Sequence, residues 1–89
     1  MSSINFIDEG WEDYQYWQTQ DRKTLKRINV LIDDIERNGN VGIGKPEALC
    51  NELSGFYSRR IDEKNRLIYR ILDDGTIELH TCRSHYGDK

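Results

Sequence analysis

The sequence FYSRRIDEKNRLIYRILDDGTIELHTCR, residues 56–83, follows a period of two and is interrupted by two turn signals, DEKN and DDG. Residues 56–61, 66–72 and 76–83 are rich in the residue types that favour β-strands. The DDG sequence is a strong hairpin signal between the second and third of these runs. The segment therefore predicts three successive antiparallel strands.

Upstream of these strands, the hydrophobic pattern has the helical period of 3.6 residues. The sequence INFI at residues 4–7 predicts a short first strand, and Asp8 is placed to cap a first helix. Three aromatic residues recur every three positions in this helix, which predicts an aromatic face buried in the core. These residues are Trp11, Tyr14 and Trp17.

A second helix is expected at residues 22–37, with Asp21 as its N-cap, and the glycine-rich sequence NGNVGIG at 38–44 ends it. The order β-α-α-β-β-β predicts an α+β fold in one small domain. In this fold the helix pair packs on one face of a twisted, mostly antiparallel sheet, and the other face is free to carry a site.

The chain of 89 residues is long enough for a single domain spanning 1–89, in which 87–89 are expected to form a flexible tail. No apolar run approaches the roughly 18 residues of a membrane span, and the N-terminus lacks a signal-peptide pattern. The net charge of −3 argues against nucleic-acid binding. However, residues 1–21 contain five acids and no Lys or Arg, so residues 22–89 carry 13 basic and 11 acidic side chains.

The two cysteines, Cys50 and Cys82, and the two histidines, His80 and His85, do not have the spacing of a metal site. We therefore expect no metal and no cofactor. Without an export signal, both thiols are expected to be reduced in the cytoplasm. Cys82 falls in a strand and is expected to be a small packing residue.

The central strand places Arg66, Ile68 and Arg70 on the face away from the helices. If the turn before it has an odd number of residues, Arg60 faces Arg66 across the strand pair. Like charges in this position repel each other unless an anion lies between them. An anion site and a pair of solvated arginines are both open interpretations.

Candidate acid and base groups lie on both sides of this hairpin. Glu47 follows Gly-Lys-Pro, and Pro46 favours the first turn of a short helix. His85 and Tyr86 lie near the C-terminus. A carboxylate, clustered guanidinium groups and an imidazole are what RNA cleavage by the 2′-hydroxyl requires without a metal. Because such residues occur in most domains, their spacing alone leaves the activity open.

Three motifs in order make the sequence more specific: GIGKPEAL at 42–49, LSGFYSRRIDEKNRLIYR at 53–70 and CRSHY at 82–86. Together with the early WEDYQYW and DRKTLKRIN, they resemble the YoeB/Txe toxins of the RelE-type superfamily over nearly the whole chain. The resemblance implies a cytoplasmic bacterial toxin paired with a YefM-type antitoxin. It also implies an endoribonuclease that binds the ribosome and cuts mRNA in the A site.

The resemblance also implies roles for individual residues. Glu47 of GKPE corresponds to the general base, Arg66 of NRLIY to the arginine that stabilises the phosphate, and His85 to the general acid. Tyr86 is expected to orient the substrate. Four further residues are expected to contact RNA, with Tyr57 either stacking on a base or packing in the protein. These residues are Lys45, Arg59, Arg60 and Tyr57.

The sequence departs from the family pattern at Cys50, where members usually carry a lysine, and in the Gly87–Lys89 extension. Two other functions remain open. A toxin of the same fold can act without catalysis, by binding a protein target or only the antitoxin, and a stand-alone ribonuclease would cut naked RNA. A homodimer is a further candidate assembly.

Overall fold

A computed structural model describes residues 3–83 of the chain. The described residues form two helices and one five-stranded sheet of order β1-β5-β4-β3-β2, in which only the β1–β5 pair is parallel. The predicted α+β fold is confirmed, with one additional short strand. The elements are β1 Ile4–Phe6, α1 Gly10–Gln20, α2 Arg22–Asn38, β2 Glu47–Ala48, a 3₁₀ turn Asn51–Leu53, β3 Tyr57–Arg60, β4 Arg66–Ile71 and β5 Ile77–Thr81.

The N-termini of the two helices differ in how they are capped. The Asp21 carboxylate accepts hydrogen bonds from the amides of Lys23 and Thr24, at 3.0 and 3.3 Å, which confirms the predicted cap of α2. The predicted Asp8 cap of α1 is wrong, because Glu9 occupies the cap position, and its side chain accepts no capping hydrogen bond. The Asp8 carboxylate instead lies 2.6 Å from Nδ1 of His80 on β5.

The core lies between the helix pair and one face of the sheet. Trp17 is buried as predicted and Tyr14 packs on the edge of the core. Trp11, which the pattern places in the core, is 50% exposed and packs against the rings of Phe6 and Tyr14, at 5.2 and 6.2 Å between ring centroids. The fully buried members come from α2 and the central strands: Ile28, Leu31, Ile35, Leu67, Tyr69, Ile77 and Leu79.

Cys82 is buried where β5 meets α1. Its amide donates to the Asp13 carboxylate at 3.1 Å, and its carbonyl accepts from the Trp17 indole at 2.8 Å. Burial, assisted by the charge of Asp13, raises the pKa of the Cys82 thiol to about 12. The predicted packing role of Cys82 is therefore confirmed.

We expect the two cysteines to differ sharply in reactivity, because Cys50 is exposed and Cys82 is buried. A thiolate-selective reagent at pH 8 should label one of the two thiols in the native protein and both after denaturation. The Cys50→Ser variant should lose the fast reaction entirely. Rapid labelling of two thiols in native protein, counted by mass spectrometry, would contradict the buried position of Cys82.

The register of the central hairpin places Arg60 opposite Arg66, as predicted. Ile68 lies on the face away from the helices, as predicted, but its side chain is fully buried there. The β4–β5 register shifts here, since Ile68 pairs with Thr81 while Tyr69 pairs with Leu79. His80 is thus an extra residue that bends β5 at this point.

The segment that contains Glu47 is a strand, so the predicted short helix is wrong. Lys45 has a φ of +52°, outside the right-handed helical region. The Leu49 amide donates to the Phe56 carbonyl at 2.9 Å, and Glu47 pairs with Ser58. These contacts attach the segment to the edge of β3 as β2.

Candidate active site on the open sheet face

The sheet has one face toward the helices and one face away from them, which we call the open face. Directly paired residues of an antiparallel sheet lie on the same face. The row Ala48, Tyr57, Tyr69 and Leu79 includes core residues and therefore faces the helices. The adjacent row, Glu47, Ser58 and Ile68, faces the other way.

Glu47, Arg60 and Arg66 consequently share the open face. Arg60 lies two residues beyond Ser58 on β3, and Arg66 is its direct partner on β4. With about 4.8 Å between strands and about 3.3 Å per residue, the α-carbons of Glu47 and Arg60 lie about 8 Å apart, and those of Glu47 and Arg66 about 12 Å.

Lys45 adds a third positive charge at the same end of the sheet. The Arg60 amide donates to the Gly44 carbonyl at 2.7 Å, so Lys45 lies alongside the end of β3. Both Lys45 and Glu47 are exposed. Within residues 3–83, neither side chain has a hydrogen bond or an ion pair, so both are available to a ligand.

The Arg66 side chain is half-buried and held by the turn before β4. Its Nη1 donates to the carbonyls of Asp62 and Asn65, at 2.6 and 3.1 Å. Burial alone would raise the pKa of Asp62, but hydrogen bonds from Asn65 and Lys64 outweigh it and lower that pKa. No acceptor in the described part of the chain binds Nε or Nη2 of Arg66, which leaves these donors for an anion.

Arg59 does not have the RNA-contacting position expected from the sequence. It lies between Ser58 and Arg60 on β3, so it points toward the helices, and it is fully buried. Its five N–H groups, the full donor capacity of arginine, are all used inside the protein. The acceptors are the Tyr69 hydroxyl (3.2 Å), the Asp34 carboxylate (2.5 Å) and the carbonyls of Ile43 (3.0 Å), Val41 (3.0 Å) and Gly39 (2.6 Å).

Tyr57 also lies on the helix-facing side of the sheet. It is half-buried, packs against the core and has its ring 6.2 Å from the ring of Tyr69. Of the two alternatives open for this residue, the structure supports packing over stacking on an RNA base.

Two of the predicted site residues, His85 and Tyr86, lie outside the described residues. The described chain ends at Arg83, whose guanidinium lies 3.6 Å from the centre of the Tyr16 ring. β5 ends at Thr81, which pairs with Ile68 on the strand that begins at Arg66. The chain therefore leaves the sheet at the same end as the arginine pair.

Asp34 is a polar residue of this region that sequence reasoning missed. The Arg59 hydrogen bond, supported by those from the Ile43 amide and Asn38, lowers the pKa of its carboxyl. Its position four residues before the glycine-rich loop was the available signal, since a carboxylate there can accept from loop amides.

No group of three or more His, Cys, Asp or Glu side chains within residues 3–83 is arranged to hold a metal ion. No helix among these residues is both long and apolar enough to cross a membrane.

The fold and the open face define a small α+β domain that carries a carboxylate and two arginines on one face of its sheet. The family model described as YoeB-like toxin of bacterial type II toxin–antitoxin systems matches residues 6–86. The chain therefore belongs to the YoeB family of toxins. Among its relatives, a toxin YoeB from Mycobacterium bovis is 50% identical over 86 residues, which cover 97% of this chain and 100% of that protein.

Solved structures show the same fold. A YoeB–YefM complex from Staphylococcus aureus contains a chain that matches with a TM-score of 0.88 and 45% identity, over 97% of this chain and 99% of that one. A structure described as a YoeB dimer from the same organism matches with a TM-score of 0.87 and 46% identity, over 96% and 98% of the two chains.

Proposed function

We propose that this toxin is a ribosome-dependent endoribonuclease of the bacterial cytoplasm that cuts mRNA in the ribosomal A site and so stops translation. The placement of Glu47, Arg60 and Arg66 on one open face carries this proposal, since register alone aligns a carboxylate with two cations there. The family membership supports it. The similarity to chains of a YoeB–YefM complex and a YoeB dimer supports a YefM-type antitoxin and a second copy of the chain as partners.

In the proposed reaction, the RNA 2′-hydroxyl attacks the adjacent phosphorus while the bond to the 5′-oxygen breaks. Glu47 takes the proton of the 2′-hydroxyl, and His85 gives a proton to the departing 5′-oxygen. Arg66 stabilises the charge that develops on the phosphate oxygens. The reaction needs no metal or cofactor for its proton transfers, because side chains supply both the base and the acid.

The remaining site residues would bind rather than react. Arg60 and Lys45 add positive charge at the end of the sheet where Arg66 lies. Tyr86 would orient the nucleotide. A site of this size makes few phosphate contacts, so most of the affinity for mRNA is expected to come from docking on the ribosome.

The deciding experiment presents one defined mRNA to the purified toxin in three states: naked, on ribosomes with an empty A site, and on ribosomes whose A site holds tRNA. We expect cuts only with the empty A site, mapped as new 5′ ends within the A-site codon. Cutting of naked mRNA at equal rate would favour a stand-alone ribonuclease. Intact mRNA in all three states would favour a toxin that acts only by binding.

A further inference from the structure

The loop that precedes Glu47 is held by the fully buried side chain of Arg59 and the partly buried side chain of Asp34 rather than by regular secondary structure. Arg59 donates to three of its carbonyls, from Gly39, Val41 and Ile43. Asp34 accepts from the Ile43 amide at 3.1 Å and binds the same guanidinium. The loop is thus fixed at alternate residues by one arginine and its counterion.

The glycines of this loop fit closely around the pair. A Cβ on Gly42 would lie 2.0 Å from an oxygen of the Asp34 carboxylate, and φ is +133° at this position. A Cβ on Gly44 would lie 2.8 Å from the side chain of Leu31 and 3.3 Å from the Arg60 carbonyl. At Gly42 and Gly44 the loop backbone therefore lies too close to α2 and β3 for a side chain to fit.

The position of the 39–44 loop determines where residues 45–47 lie. Gly44 binds the Arg60 amide, and three residues later Glu47 pairs with Ser58, the neighbour of Arg59 on β3. Between these anchors lie only Lys45 and Pro46, and β2 itself has two residues. So short an edge strand has few contacts of its own to fix its place.

We infer that Arg59 and Asp34 are positioning residues for the Lys45–Glu47 segment: the pair holds the 39–44 loop, and the loop sets where the Glu47 carboxylate stands relative to Arg66. Arg59 acts on the open face only indirectly, because all of its donors bind acceptors on the helix-facing side of the sheet and in the loop. The consequence for cleavage rests on the proposed function, whereas the consequence for the position of β2 does not.

The test uses Arg59→Lys, which keeps a positive charge beside Asp34 but cannot reproduce the planar five-donor fork. Amide hydrogen exchange is measured by mass spectrometry on peptides that cover 39–49 and, separately, 66–71. We expect exchange in 39–49 to accelerate about tenfold or more while 66–71 stays protected, since local opening is governed by local contacts. Asp34→Asn should accelerate exchange in 39–49 by a smaller factor, also without affecting 66–71. This variant replaces Arg59→Lys in the test if Arg59→Lys does not fold.

The matched control is Arg70→Lys. Arg70 lies on the same sheet, pairs with Glu78 at 2.6 Å and covers the Phe56 ring, and none of these contacts reaches residues 39–44. Arg70→Lys should leave exchange in 39–44 and cleavage unchanged. At a temperature where all variants are folded, Arg59→Lys should lower the single-turnover cleavage rate about 100-fold with little change in ribosome affinity, as expected for a misplaced reactive group.

Hydrogen exchange tests the position of β2, and the cleavage rate tests the position of the Glu47 carboxylate. Unchanged exchange in 39–49 in both Arg59→Lys and Asp34→Asn would overturn the inference. Faster exchange with an unchanged cleavage rate would also overturn it, because the loop would then not determine where Glu47 stands. If the wild-type toxin cuts no mRNA, the proposed function fails, and faster exchange at Ala48 and Leu49 would still support the positioning of β2.

Discussion

Replacing Glu47 with glutamine is expected to lower the rate of mRNA cleavage on ribosomes by about 100- to 10,000-fold, the usual contribution of a positioned general base. Glutamine has nearly the same shape as glutamate but cannot accept the 2′-hydroxyl proton. Glu47 is exposed, and its strand is held through backbone pairing with β3 rather than through the carboxylate. The substitution should therefore leave folding and ribosome affinity intact.

Glu52→Gln provides the matched control, because Glu52 is an exposed carboxylate in the 3₁₀ turn just after β2. The measurement is single-turnover cleavage with excess toxin, combined with a ribosome-binding assay and thermal unfolding. Glu52→Gln should cleave at the wild-type rate. A Glu47→Gln protein that cleaves as fast as Glu52→Gln would remove Glu47 from the reaction and leave the base to another group.

The features that the sequence predicted correctly depend on local chain geometry. The pairing of Arg60 with Arg66 follows from a five-residue connection, which returns the chain with both side chains on one face. The Asp21 cap follows from one carboxylate and the two amides of the next turn. Neither feature requires knowledge of how the helices pack on the sheet.

The features that it missed depend on contacts between distant segments. Strand alternation that puts Arg60 on the open face also puts Arg59 toward the helices, so the signal for a buried arginine was present. Whether an arginine is tolerated there depends on acceptors from α2 and the 39–44 loop, which only the folded chain brings together. The SRR sequence therefore predicts two arginines that contact RNA, whereas only Arg60 lies on the open face.

Contacts between distant segments also explain why the predictions for Asp8 and Trp11 are wrong. Each was assigned from its place before or within α1, as a cap and as a core residue. The start of α1 lies against β5, and there the carboxylate of Asp8 meets His80 instead of the helix amides. Trp11 lies in the first turn of α1, where the rings of Phe6 and Tyr14 pack against it and half of its side chain is exposed.

The contact between α1 and β5 also leads to a prediction that opposes helix propensity. Alanine forms helices better than glycine by about 1 kcal/mol, and Gly10 is the first residue of α1. A Cβ on Gly10 would nevertheless lie 2.2 Å from the carbonyl oxygen of Leu79, a backbone atom in the centre of the sheet. That oxygen already accepts the Ile7 amide at 3.0 Å, so it cannot move without breaking the link between β1 and β5.

Gly10→Ala is therefore expected to destabilise the domain by about 3 kcal/mol, the upper part of the usual range for overpacking, and to lower Tm by more than about 10 °C. The control is Gly39→Ala at the end of α2, where no atom lies within 4 Å of the added Cβ and only the backbone conformation, φ +70° and ψ −128°, opposes alanine. That variant should lose about 1 to 3 kcal/mol from backbone strain alone. Thermal unfolding tests the clash, because a Gly10→Ala protein as stable as the wild type would mean that α1 can separate from β5 at little cost.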